Sequence, residues 1–170
     1  MTYSTIADWK TYAAARGQSE VADAEDDDLT AALLRGSEAL DGRYQAMFPG
    51  VRTDGRDQER AWPRKNANGT KVRDQNGEPV PSDEVPDEII RAAYEMALRE
   101  LSTPGSLSPD VTPGQRVKST SEAVGPLKEA TEYVVAGNAI DAQRPVLTIV
   151  EGILAPLMRS KSNVSFIERA

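Results

Sequence analysis

The residues best suited by type and spacing to do chemistry lie between positions 52 and 73. Arg52, Arg56, Arg60, Arg64, Lys65, Lys71 and Arg73 stand there against Asp54, Asp57 and Glu59. Seven bases less three acids leave a local charge of +4 in a chain whose formal net charge is −7. A charge run is commonly a solvated face. Its sign also suits phosphate or an acidic neighbour. We take Arg52, Arg56, Arg60, Arg64 and Lys65 as a basic loop facing DNA or a neighbouring subunit, with any DNA contact made to phosphate and without sequence preference. The same segment contains Gln58-Glu59-Arg60-Ala61-Trp62-Pro63-Arg64. A Trp followed by Pro in a polar loop reads as an anchor, so Trp62 and Pro63 are expected to pack the loop down.

Other chemistries find little support. Histidine and cysteine are both absent, which removes the commonest acid/base, the commonest transition-metal ligand and any thiolate. No nucleophile elbow, phosphate-binding loop or dinucleotide fingerprint occurs. The acidic run Glu25-Asp26-Asp27-Asp28 invites a metal. It is better read as acids at a helix N-terminus, complementing the partial positive charge there. Asn68-Gly69 and Asn76-Gly77 lack the acid five residues before the glycine that a calcium loop needs; Arg64 and Val72 stand there instead. No enzyme activity, cofactor or metal is expected.

These residues need elements to hold them. A first helix is expected over about Thr5–Arg16, capped by Ser4 or Thr5 and ended by Gly17. A second runs from about Asp28 to Met47, with Leu29, Leu33, Leu40, Tyr44 and Met47 on one side, before Phe48-Pro49-Gly50. Val51–Glu84 reads as a long ordered loop with two Asn-Gly turns and a short strand at Thr70–Arg73. A third helix starts near Pro86, carries Ile89, Ala93, Met96 and Ala97 on one face, and ends at Ser102-Thr103-Pro104-Gly105. Stretches flanking Gly125-Pro126 alternate as a β-hairpin over about 116–135. A last helix is expected from Arg144-Pro145 to about Arg159, with a wide stripe from Val146 to Leu157 that Pro156 should kink or shorten. The fold class is therefore mainly α: a small bundle of about four helices with a long ordered loop (49–85), a β-hairpin and an extended C-terminal tail. The helical domain spans 1–159, and residues 160–170 form the tail.

That tail keeps Val164, Phe166 and Ile167 in an eleven-residue stretch with no helical period. It is expected to be disordered alone and to dock those three side chains on a partner; the alternative is that it folds back on its own subunit. The N-terminal residues Met1-Thr2-Tyr3-Ser4 carry no apolar segment, so no secretory leader is expected. The most apolar stretch, Val146–Met158, is too short to span a bilayer, and no membrane partner is expected.

One order of features is recognisable. Leu40-Asp41-Gly42-Arg43-Tyr44 precedes Phe48-Pro49-Gly50; then come Gln58 to Trp62-Pro63-Arg64 and the helix beginning Val85-Pro86-Asp87-Glu88-Ile89-Ile90-Arg91. Val124-Gly125-Pro126 and Leu154-Ala155-Pro156-Leu157 follow. Over nearly the whole chain this order resembles the head–tail adaptor (connector) proteins of tailed bacteriophages and gene transfer agents, some of which carry the label DnaT-like single-stranded-DNA-binding protein. The resemblance implies a structural virion protein of the neck region, assembled in the host cytoplasm. Its copies would form a ring, a dodecamer by analogy with the portal. That ring would dock under the portal protein, extend the channel for packaged DNA and join the capsid to the next neck or tail protein, a stopper or tail terminator. In such adaptors the C-terminal segment commonly grips the portal, which gives Val164, Phe166 and Ile167 their role. The isolated protein is expected to be monomeric or weakly associated. A single-stranded-DNA-binding protein is the alternative; it would need stacking aromatics among the bases, where only Trp62 stands.

Overall fold

The computed structural model describes residues 1–108, 116–121, 130–134 and 146–158, the two middle stretches as backbone only. The chain divides into two compact units, one of Met1–Leu107 with Leu147–Ala170 and one of Ser108–Val146. The architecture is mainly helical. Gly125-Pro126 and the tail with Val164, Phe166 and Ile167 lie outside the described residues.

In the first unit α1 (Ile6–Arg16) begins at Thr5, whose Oγ1 accepts from the Asp8 amide at 3.2 Å. It ends at Gly17, left-handed at φ 69°, as Gln18 N–H reaches back to Ala13 O at 3.0 Å. A short α2 (Ser19–Asp23), not foreseen in the sequence, buries only Val21. Five residues offer too little periodicity to be recognised. In α3 (Asp26–Tyr44) Asp26, Asp27 and Asp28 occupy the first turn, and Asp26 also pairs with Lys10 at 2.7 Å. The helix then tightens into a 3-10 turn, Gln45–Met47. The turn steps about 120° per residue rather than 100°. Met47 therefore leaves the stripe expected of it and is 47% exposed, while Leu29, Leu33, Leu40 and Tyr44 stay buried.

The helix α4 (Asp87–Ser102) starts after Pro86, which caps it from outside, and buries Ile89, Ala93, Met96 and Ala97. Its C-terminal turn is fastened by Glu100. That buried carboxylate takes Arg35 Nε at 3.0 Å and the amides of Gly105 and Leu107 at 2.7 and 2.9 Å. The helices α3 and α4 pack together at very close range: a Cβ built on Gly36 would stand 2.6 Å from Ala97 N. The pair separates two apolar clusters. On one side Trp9 of α1 stacks on Tyr94 of α4, above Leu29 and Leu33. Glu95 of α4 holds α1 there by accepting from the Tyr12 hydroxyl at 2.8 Å and pairing with Arg16 at 3.0 Å. The other cluster gathers Tyr44, Phe48, Trp62, Ile89 and Leu154.

The last helix, α5 (Thr148–Leu154), passes into a 3-10 turn, Ala155–Leu157. It is shorter than its stripe suggested. Pro156 has no N–H for an α-helical bond, and the chain tightens there instead. Leu147, Val150, Leu154 and Leu157 face the core, whereas Val146 and Ile149 are exposed, so the buried stripe is narrower than expected. Among the described residues no helix is long and apolar enough to cross a membrane.

In the second unit β3 (Arg116–Ser121) and β4 (Ala130–Val134) form an antiparallel hairpin. Arg116 pairs with Val134 and Ser121 with Ala130, with an irregularity between Val117 and Ser119.

Candidate nucleic-acid interface

The segment from Val51 to Val80 is more ordered than a loop. Here β1 (Val51–Arg52) pairs antiparallel with β2 (Arg64–Lys65), Val51 opposite Lys65 and Arg52 opposite Arg64. Lys65 is bridged in turn to Lys71, and Arg73 to Pro79. Asn66 N–H donates to Thr70 O at 2.8 Å and Val80 N–H to Val72 O at 2.9 Å. The result is a four-run meander. The expected strand at Thr70–Arg73 is its third run, joined by single bridges rather than a continuous ladder. Both Asn-Gly pairs sit in the intervening turns, with Gly69 and Gly77 at φ 83° and 86°. Asp74 Oδ1 ties the second turn by accepting the amides of Asn76 at 2.9 Å and Glu78 at 2.8 Å.

Side chains alternate across such runs. Val51, Lys65, Lys71 and Arg73 fall on one face, and Arg52, Arg64, Val72 and Val80 on the other. Val72 and Val80 are buried, which marks that second face as the inner one. Arg64 lies with them at 7% exposure and donates to Pro49 O at 2.7 Å, Gly50 O at 2.8 Å and Ala61 O at 3.1 Å. Arg60, 8% exposed, donates to Met1 O and faces Asp41 and Glu38, each at 3.6 Å. Arg52 is half-buried and donates to Gln58 O at 3.2 Å and Gln45 Oε1 at 3.1 Å. Of the five bases singled out in the sequence, Arg56 alone is exposed, Arg52 and Lys65 are half-buried, and Arg60 and Arg64 are buried. Arg60 and Arg64 are internal braces. The five do not form one outward surface, because carbonyls that the tight turns leave unpaired recruit the guanidiniums inward.

Trp62 is 1% exposed and meets Phe48 edge-on, ring centres 5.6 Å apart. The Trp62-Pro63 peptide bond is cis. Gln58 clasps the same turn: its amide donates to Arg60 O at 2.8 Å and Pro63 O at 3.0 Å, while its carbonyl takes the Asp54 amide at 3.2 Å. Below lies a polar knot that the sequence did not disclose. The Tyr3 hydroxyl donates to Asp41, and the Ala61 amide donates to Tyr3 Oη at 3.1 Å and to Asp41 Oδ2 at 3.2 Å. Only long-range pairing reveals it. By contrast, the outward row of Lys65, Lys71 and Arg73 had a readable sign: the Asn68-Gly69 turn puts Lys65 opposite Lys71, and apolar Val72 separates Lys71 from Arg73.

Burial raises the Asp41 carboxyl above its usual range, while Tyr3, the Ala61 amide and Arg60 pull it down. Burial, and then the Asp41 carboxylate, lift the Tyr3 phenol far above its ordinary value. Burial also raises Tyr12 and Tyr94, and takes Tyr44 up to about 12. In the unfolded chain these phenols ionise near 10, so from there upward the unfolded state holds fewer protons than the folded one. Stability is therefore expected to fall as pH rises from 10 towards 12. Urea midpoints across that interval, followed beside tyrosinate absorbance, should drop as phenols ionise together with unfolding. Tyr44→Phe should flatten the decline; a midpoint indifferent to pH there contradicts the burial argument.

Over residues 2–170 the chain matches the family described as “Putative DnaT-like ssDNA binding protein”, and it belongs to that family. Searches of curated proteins and of solved structures found no match.

Proposed function

We propose that this protein is a non-enzymatic structural subunit, a head–tail adaptor of a tailed bacteriophage or gene transfer agent. Copies form a ring under the portal, dodecameric by analogy, which lengthens the DNA channel and presents a platform to the next neck or tail protein. The observation that carries the reading is the Gln58–Arg64 bracket. Its one aromatic and both of its bases turn inward to brace the turn rather than outward to take a base. The order of motifs along the chain supports the same reading.

The second reading, a single-stranded-DNA-binding protein, is supported more directly by the family description, and no comparison speaks for a phage origin. Against it stands Trp62, the single aromatic between positions 51 and 80, which is buried and unavailable for stacking. Two measurements separate the readings: class averages of the protein mixed with the portal protein of the same genome, and binding of labelled oligo-dT. The adaptor reading expects a monomer or weak oligomer alone and closed rings on portals. Tight oligo-dT binding without portal association would overturn it in favour of the second.

A further inference from the structure

We propose that the outward row of the meander, Lys65, Lys71 and Arg73, is a phosphate-binding face for nucleic acid. The inference deepens the DNA contact common to both readings above and rests on it, but it assigns that contact to a face that differs from the basic loop as read in the sequence. Lys65 and Lys71 are cross-strand partners, so their side chains project on the same side about 4.5–5.5 Å apart at Cβ. Arg73 stands two residues along from Lys71, about 6.6 Å away at about 3.3 Å per residue, again on that side. Lys71 and Arg73 are exposed and Lys65 half-exposed. Arg73 gives one N–H to Gly77 O, which orients its guanidinium beside the turn.

Ion pairing is missing along the row, as it is at Arg52, Arg56, Arg91 and Arg99 among the described residues; what sets the row apart is that three such cations share one ribbon face. Lys10, Arg16, Arg35, Arg43 and Arg60 each face a carboxylate of their own chain. Among the described residues Lys65, Lys71 and Arg73 face none. The acids of the adjoining turn are otherwise committed or out of phase. Asp74 holds its turn, and Glu78 stands opposite Asp74, one position out of step with Arg73. Three cations on one ribbon face, none with a carboxylate partner among the described residues, complement a polyanion in an acidic chain, and the family description points to nucleic acid as that polyanion. No aromatic lies on the face, so contact is to phosphate alone. Single strands and duplex are then both bound, weakly and with strong salt dependence.

The test is fluorescence anisotropy of the full chain with labelled oligo-dT and a duplex of equal length across a salt series. Three phosphate contacts predict a slope of log K against log salt of about −2 on the single strand, at about −0.7 per contact. Lys71→Gln with Arg73→Gln should reduce that slope to about −0.7 and weaken binding at least tenfold at low salt. Arg91→Gln with Arg99→Gln removes the same charge elsewhere and should leave the slope unchanged. Equal losses in the two double variants, or no loss in the first, overturn the proposal. So does a wild type that binds polyglutamate as well as DNA, which would make the row a face for an acidic protein. Portal association is scored separately, so adaptors that assemble while DNA binding ignores the row would refute this inference and leave the adaptor reading standing.

Discussion

Gly36→Ala should destabilise the protein, while Gly42→Ala on the same helix should stabilise it. At Gly36 the added methyl would meet Ala97 N at 2.6 Å and Ala97 Cα at 2.8 Å. Both obstacles are backbone, so no rotamer change relieves the clash and α3 must move away from α4. Overpacking of this kind costs about 1–3 kcal/mol, and the upper end applies where a helix axis has to shift. At Gly42 a Cβ meets nothing within 4 Å. There only the helix propensity changes, worth roughly 0.5–1 kcal/mol in favour of Ala. Urea unfolding of the two variants beside the wild type would settle the matter. Midpoints moving in the same direction would show that the α3–α4 seam has slack which the close approach denies.

Trp62→Ala should be the more damaging change, at about 3–5 kcal/mol. The side chain is fully enclosed against Phe48, and it holds the turn carrying Arg60, Pro63 and Arg64. Its indole Nε1 has no hydrogen-bond partner. The loss is thus one of packing rather than of a polar bond, and Trp62→Phe should recover much of it, with a cost reflecting only the missing ring volume. Thermal melts of the two variants test this. If Phe were as harmful as Ala, the packing account of the anchor would fail.

The fold was legible where a repeat ran long enough to speak. Along α4 the buried positions Ile89, Ala93, Met96 and Ala97 keep a helical interval for over two turns, and Pro86 marks the entrance. The residues of α3 did the same until the 3-10 turn changed the angular step and freed Met47. The Asn-Gly pairs correctly announced turns. The destinations of the arginines were hidden. Arg64 and Lys65 are neighbours of equal charge, yet one ends among carbonyls inside and the other outside. What decides between them is which runs pair, and runs of two residues carry almost no pattern of their own. Nothing next to Asp41 in the sequence marks it as buried. Its burial follows from Tyr3 and Ala61, 38 and 20 positions away, meeting over it.

The alternation of the meander gives length changes an effect unlike that of substitutions. Swapping an outward lysine alters one charge and leaves the architecture alone. Inserting a single residue between Gly55 and Gln58 would lengthen an exposed bend, where the pairing can absorb it. The same insertion within the third run, between Lys71 and Val72, shifts phase: with the bridge to Lys65 kept, the buried valine is carried to the surface and the outward arginine is turned in, and the contact of Val72 with Val80 is lost. Read as a frame, this stretch should tolerate variation in spelling far better than variation in spacing.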